Sequence, residues 1–233
     1  MLAPDIGGLW RNLIVFPSPP TNAGKASLWK AKAMLYPIIY ADPPWRYEYP
    51  PMGATSRSIE RHYQTMTIDE IKAMNIPSAD NGVLFLWATA PKLKECIDVM
   101  IHWGYQYRTC MSWDKEVIGM GYWFRNQHEL LLVGLKGKFS PPIPSQRMSS
   151  VWREKRTKHS KKPDGIRQWI ADCYPEVPKL ELFARQKTSG WDVFGNEVEG
   201  SIRLPTKRAA DVRKAGAKKV SSKSKVMVSP ARG

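Results

Sequence analysis

A chain of 233 residues, 42% of them hydrophobic, is long enough to bury a full core, so one α/β domain with appendages is expected. Its 36 Lys and Arg against 21 Asp and Glu leave a net charge of +15, which points to a polyanionic partner, nucleic acid being the commonest. The sequence carries no run apolar enough to span a membrane and no signal-peptide pattern at its N-terminus, so a cytoplasmic protein without a membrane partner is expected.

In chain order, residues 1–33 mix Pro, Gly and scattered apolar residues without a sustained period; they read as an N-terminal extension, with a short strand allowed at Leu13–Phe16. The core begins at Met34. The run Tyr36-Pro37-Ile38-Ile39-Tyr40 reads as a buried strand, and it stops at Asp42-Pro43-Pro44-Trp45. Each proline restricts the residue before it, so this is a stiff loop at a strand's carboxyl end, where open α/β sheets bind ligands. Arg46–Tyr63 is a long polar loop beside it. Thr67 with Glu70 three residues on is a capping box that opens a short helix to about Met74. Asn81-Gly82 reads as a turn and Val83–Trp87 as a second buried strand.

Pro91 suits the first turn of the next helix, which puts Leu93, Cys96, Ile97, Met100 and Ile101 on its inner face and ends at Gly104. Tyr105–Trp113 and Leu130–Leu135 read as strands, joined through a Gly119-Met120-Gly121 loop that faces substrate better than it matches a dinucleotide fingerprint. Gly137–Lys162 is Pro-rich and then basic, a solvated loop or a groove for a phosphate backbone around Arg153, Arg156 and Lys158. Pro163–Tyr174 reads as a helix with Ile166, Trp169, Ile170 and Cys173 inward, Lys179–Arg185 as a strand, and Trp191–Phe194 as an edge strand. Residues 200–233 hold ten Lys or Arg and one Asp, a net +9 that leaves +6 (15 − 9) for the other 199; this stretch reads as a basic disordered tail. The domain is thus expected over residues 34–199, with strands and helices alternating as in a doubly wound sheet.

The opening motif has a chemical reading. Adenine's exocyclic amine is a poor nucleophile with two N–H groups, and the Asp42 carboxylate and Pro43 carbonyl are acceptor-only groups suited to hold them. Trp45 would stack on the base, as an extruded nucleobase requires; the rival is a proline-stiffened turn with Asp42 as a helix cap. Cys96, Cys110 and Cys173 are widely spaced and outside any CxxC pair, and the four histidines show no metal-ligand spacing, so no metal is expected.

Several stretches taken together, Asp42-Pro43-Pro44-Trp45, His62–Met66, Leu84–Trp87, Trp103-Gly104-Tyr105, Trp113-Asp114-Lys115, His128–Gly134, His159–Asp164, Glu181–Arg185 and Gly195-Asn196-Glu197, resemble in order the signatures of the MT-A70 adenine methyltransferases. The resemblance runs from about Met34 to Glu199 and favours the branch of bacterial and phage DNA methyltransferases. It implies a Rossmann-like fold with a mixed, mostly parallel sheet, helices on both faces and a permuted motif order, and S-adenosylmethionine as cofactor. It implies that Asp42, Pro43, Pro44 and Trp45 hold the adenine with Tyr63 beside it, and that Asp42, Lys162, Glu181, Arg185, Asn196 and Glu197 contact the cofactor. Lys115, Arg153, Arg156 and Lys158 join Tyr63 as expected substrate contacts. Where the family often has an acid upstream of the first strand, nothing between Gly7 and Tyr36 is acidic, and Gln186-Lys187 follows Arg185 where some members have His-Asn.

The function expected is site-specific methylation of adenine N6 in DNA by direct in-line transfer, without a covalent enzyme intermediate. An RNA adenine methyltransferase and a non-catalytic nucleic-acid-binding subunit on the same fold are the rivals, and either a monomer or a homodimer is compatible.

Overall fold

The computed structural model describes residues 34–47, 65–121, 123–157, 161–202 and 204. The expectations for the extension, for Tyr63 and most of its loop, for Lys158 and for the tail beyond residue 204 lie outside these residues.

The apolar runs form one seven-stranded sheet in the order β5-β3-β4-β2-β1-β6-β7. β1 (Tyr36–Ala41) lies between β2 (Ser78–Ala88) and β6 (Lys179–Leu182), parallel to both. β4 (His128–Lys136) runs antiparallel to β2 and to β3 (Gln106–Asp114), while β5 (Val151–Arg153) is parallel to β3 and β7 (Asp192–Phe194) to β6. β4 is therefore the single reversed strand, and the sheet is mixed and mostly parallel as expected.

Alternation along β1 divides the core. Ile39 and Ala41 face Ile71 of α1 (Ile68–Lys72) and Cys96, Val99 and Met100 of α2 (Leu93–His102). Ile38 and Tyr40 face Ile166 and Ile170 of α3 (Asp164–Cys173) on the other side. Ile166 and Ile170 are fully buried, each contributing about 2 kcal/mol by removal from water, which fixes α3 against the sheet. The capping box of α1 forms in full: Glu70 N–H donates to Thr67 Oγ1 at 3.2 Å and Thr67 N–H to Glu70 Oε2 at 2.8 Å.

Four local expectations are corrected. Asn81-Gly82 does not end an element but lies inside β2: Tyr36 pairs with Ser78 and Ile38 with Val83, so three extra residues bulge from β2, and Asn81 Oδ1 accepts from the Lys138 N–H at 2.7 Å. Ile101 of α2 is 58% exposed, and Val99 takes the inward place. The basic stretch after Ser150 contributes a short strand, β5, too brief to show a period. β6 stops at Leu182 because Phe183 adopts the left-handed conformation (φ 62), turning the chain so that Ala184 N–H reaches the Phe194 carbonyl at 3.0 Å. A Cβ at Gly195 would collide with the Ala184 backbone, so this approach of the two loops requires glycine. Packing also continues past Glu199: Ser201 bonds both ways with Val193, and Ile202 and Leu204 pack on the α1/α2 side of the core.

Candidate active site

Asp42 leaves the end of β1 between two neighbours that are parallel to it, so the carboxyl ends of three strands surround its side chain. Both carboxylate oxygens lie 2.8 Å from Lys162 Nζ. The same ammonium is 3.3 Å from Glu129 Oε2, and Glu129 Oε1 is 3.3 Å from Lys115 Nζ. Asp42, Lys162, Glu129 and Lys115 therefore form one chain of alternating charge, with side chains 11 to 22% exposed. Lys162 comes from the segment before α3, Glu129 from the start of reversed β4, and Lys115 from just past β3.

An aromatic layer supports this chain. Lys162 Nζ stands 5.5 Å from the centroid of the Trp87 ring, whose indole N–H donates to the Tyr40 hydroxyl at 2.7 Å. Trp113 packs edge-on to Trp87 at 5.9 Å.

Burial pushes the Asp42 carboxyl above the ordinary carboxylate value, more than Lys162 pulls it down. Burial alone would depress Lys162, but Asp42 and Glu129 outweigh it and raise its pKa. Glu129 is also pushed up by burial, yet with a lysine on each oxygen it ends below the ordinary value. Two carboxylates thus share one ammonium with opposite outcomes: Glu129 holds a fixed charge, and Asp42 is the more basic acceptor.

The Asp-Pro-Pro-Trp backbone is pinned. Trp45 N–H donates to the Pro43 carbonyl at 2.9 Å, Met66 N–H to the Pro44 carbonyl at 2.8 Å, and Arg46 N–H to the Met66 carbonyl at 3.2 Å. The Pro43 carbonyl keeps a second lone pair. Trp45 is not the open stacking ring expected from sequence: it is 5% exposed, because the bridge to Met66 turns its indole inward, where it donates to the Trp87 carbonyl at 3.2 Å. Tyr47, two residues on and half-buried, shares a hydrogen bond of 2.7 Å with the hydroxyl of Thr89 just past β2.

The remaining predicted residues divide. Glu181 points into the α3 side and is buried, both its oxygens accepting from Arg167 Nη1 at 2.9 and 3.2 Å, while Arg167 Nη2 reaches Asp164 at 2.6 Å. Its carboxylate is engaged internally instead of facing a ribose, with a pKa pushed up by burial beyond what Arg167 offsets. Arg185 is exposed beyond β6 with Nε 3.6 Å from Glu197 Oε1, and its charge acts on Asp42. Asn196 and Glu197 are exposed just after β7. Lys115 lies inside the charged chain, not on an open face. Arg153 is exposed with Nε 3.9 Å from Asp114, and Arg156 N–H donates to the Lys115 carbonyl at 3.2 Å, which sets both arginines beside the end of β3. Glu129 and Arg167 are the members that sequence reasoning missed. The signal for Glu129 is a carboxylate opening an otherwise apolar strand; for Arg167, a charge at an inward helical position.

A carboxylate at the carboxyl end of an interior strand of a mostly parallel sheet with helices on both faces stands where Rossmann-like folds bind their ligands. The MT-A70 family model matches residues 36–197, and the chain belongs to that family of adenine N6 methyltransferases. It is 32% identical over 198 residues to the Type II methyltransferase M.MunI of Mycoplasma sp, spanning 77% of this chain and 85% of that one. It is 31% identical over 181 residues to the N(6)-adenosine-methyltransferase MT-A70-like protein of Arabidopsis thaliana, and 31% over 182 to the N(6)-adenosine-methyltransferase catalytic subunit METTL3 of Homo sapiens. Those matches cover 72% and 71% of this chain but only 24% and 28% of the relatives.

Proposed function

We propose that this chain methylates adenine N6 in DNA, with S-adenosylmethionine as methyl donor. The observation that carries the reading is the Asp42 carboxylate, raised in basicity and held by Lys162 at the end of β1. DNA is favoured over RNA because the alignment with a Type II methyltransferase, a DNA-modifying class, spans 85% of that relative, whereas the N(6)-adenosine enzymes share only a segment.

The donor set fits the cofactor. Arg185, whose charge acts on Asp42, offers a guanidinium for a carboxylate, while Asn196 and Glu197 on the exposed segment after β7 offer acceptors for hydroxyls. When bound, S-adenosylmethionine supplies an electrophilic methyl group. In the proposed complex, Asp42 accepts one N–H of the target amine and the Pro43 carbonyl the other, which orients the nitrogen and favours positive charge developing on it. The proton released from N6 leaves toward Asp42. Lys162 holds that carboxylate in place, and Glu129 with Lys115 holds Lys162. Arg153 and Arg156 meet the phosphate backbone.

Tritiated cofactor incubated with unmethylated genomic DNA, followed by nucleoside analysis for N6-methyladenine, tests the reading, with matched RNA as the comparison. Asp42→Ala is expected to lower methylation at least about 100-fold, the loss typical of a preorganised acceptor, while cofactor binding by equilibrium dialysis stays within a few fold. A fully active variant would sink the assignment. A wild type that labels RNA in preference would favour the RNA reading.

A further inference from the structure

Beyond Lys115 the loop between β3 and β4 is not used by the chemistry, yet it carries the most exposed large apolar side chains among the described residues. Trp123 is 93% exposed and Phe124 83%, with Ile118 and Met120 about two-thirds exposed on the rising limb. Described residues of the loop bond to one another across it. Lys115 N–H donates to the Gln127 carbonyl at 3.0 Å and Gly119 N–H to the Asn126 carbonyl at 3.1 Å, while Arg125 Nε caps the Gly119 carbonyl at 3.0 Å. A Cβ at Gly121 would collide with the Phe124 carbonyl, so the hairpin can close this tightly only with glycine there. Two aromatic rings are thus held in water at the tip of an internally bonded hairpin, an arrangement that marks a contact surface.

The position of the loop identifies its partner. Its base is formed by Lys115 and Glu129, two members of the charged chain that ends at Asp42. Arg125 lies next to the rings, and Arg153 and Arg156 run alongside the same end of β3. An apolar tip flanked by arginines is complementary to bases edged by phosphates, whereas a second copy of this basic chain would bring like charge against it. An adenine stacked in a duplex also cannot reach a recessed carboxylate unless it leaves the stack, and apolar side chains inserted at a base step perform that opening in other proteins.

We infer that Trp123 and Phe124 form a wedge that enters the base stack beside the target adenine and fills the space it vacates, with Arg125, Arg153 and Arg156 on the adjacent phosphates. This rests on the DNA reading above. The test compares wild type, Trp123→Ala, Phe124→Ala and Trp123→Phe on two duplexes that carry a sequence the wild type methylates, mapped first in genomic DNA. In one the target adenine is paired with thymine; in the other it faces an abasic site and needs no opening. The alanine variants are expected to lose at least tenfold on the paired duplex and to come within about threefold of wild type on the abasic one. Trp123→Phe keeps most of the paired activity. Equal losses on both duplexes, no loss on the paired duplex, or conversion of a wild-type dimer to monomer in sedimentation would each overturn the wedge and leave the DNA reading standing. A wild type that methylates adenine in neither duplex nor genomic DNA overturns both.

Discussion

Lys162 sits between Asp42 and Glu129, and replacing it removes one positive charge from two buried acids at once. Lys162 lowers the pKa of Asp42, so without it the carboxyl rises further above a level already raised by burial. An acceptor that must be ionised then fails at a higher pH: the acid limb of kcat/KM against pH is expected to move upward in Lys162→Gln, while Lys115→Gln, one group further away, moves it less. An unmoved limb in Lys162→Gln would show that Asp42 is not the titrating acceptor. Removing the shared ammonium strips Asp42 of its ion-pair partner and leaves Glu129 with Lys115 alone, at a cost of about 3 kcal/mol, the lower part of the range for breaking a buried pair, so profiles belong at a temperature where the variant remains folded. The place of Asp42 was legible in sequence, since an apolar run that stops at an acid and two prolines reads as a strand followed by a stiff loop; its pairing with Lys162 was not. Nor was the part of Glu129. Its partnership depends on β4 running backwards through the sheet, which brings the start of that strand to the carboxyl ends of the others.

At the scale of elements, Arg167 ties α3 to β6 through Nη1, which donates to both oxygens of buried Glu181, while Ile166 and Ile170 of the same helix pack into the core. Arg167→Met keeps the apolar stem but leaves Glu181 buried without a partner. Glu181 already has a raised pKa, so its ionisation opposes folding, and the penalty grows as pH rises from the unfolded value of about 4.3 toward the folded one. The variant is expected to lose about 3 kcal/mol near pH 8 and progressively less toward pH 5, and adding Glu181→Gln should restore most of it. Urea unfolding at the two pH values measures this; a loss independent of pH would point to packing instead. Helices and long strands were readable because their signals are local: the α1 capping box, the Pro91 start and the unbroken apolar run of β2. β5 was not, since three residues paired to the end of β3 owe their conformation to that neighbour, and β6 was overextended because nothing in Phe183 announces a left-handed turn.

For the molecule as a whole, more than half of the net charge lies beyond residue 205. Ile202 and Leu204 still belong to the core, and Ser201 closes the edge at Val193, so a truncation that preserves the fold must keep them. Residues 206–233 hold nine Lys or Arg and one Asp, a net +8 (9 − 1) of the total +15, with no aromatic side chain among them. Such a concentration of charge attracts phosphates irrespective of sequence, by releasing counterions, and each phosphate neutralised steepens the salt dependence by about 0.9 in log–log slope. If about half of these charges meet phosphates, a chain ending at Pro205 should show a slope less negative by about 4. Its affinity for DNA should fall most at low salt and converge on that of the full chain as ionic strength rises. Its kcat at saturating DNA should be unchanged, because Asp42, Lys162, Glu129 and Lys115 all lie within the part retained. Fluorescence anisotropy on a labelled duplex across a salt series, paired with turnover at saturation, separates these quantities. A truncated chain with the same slope but a lower kcat would place the tail's role at the site and not in attraction.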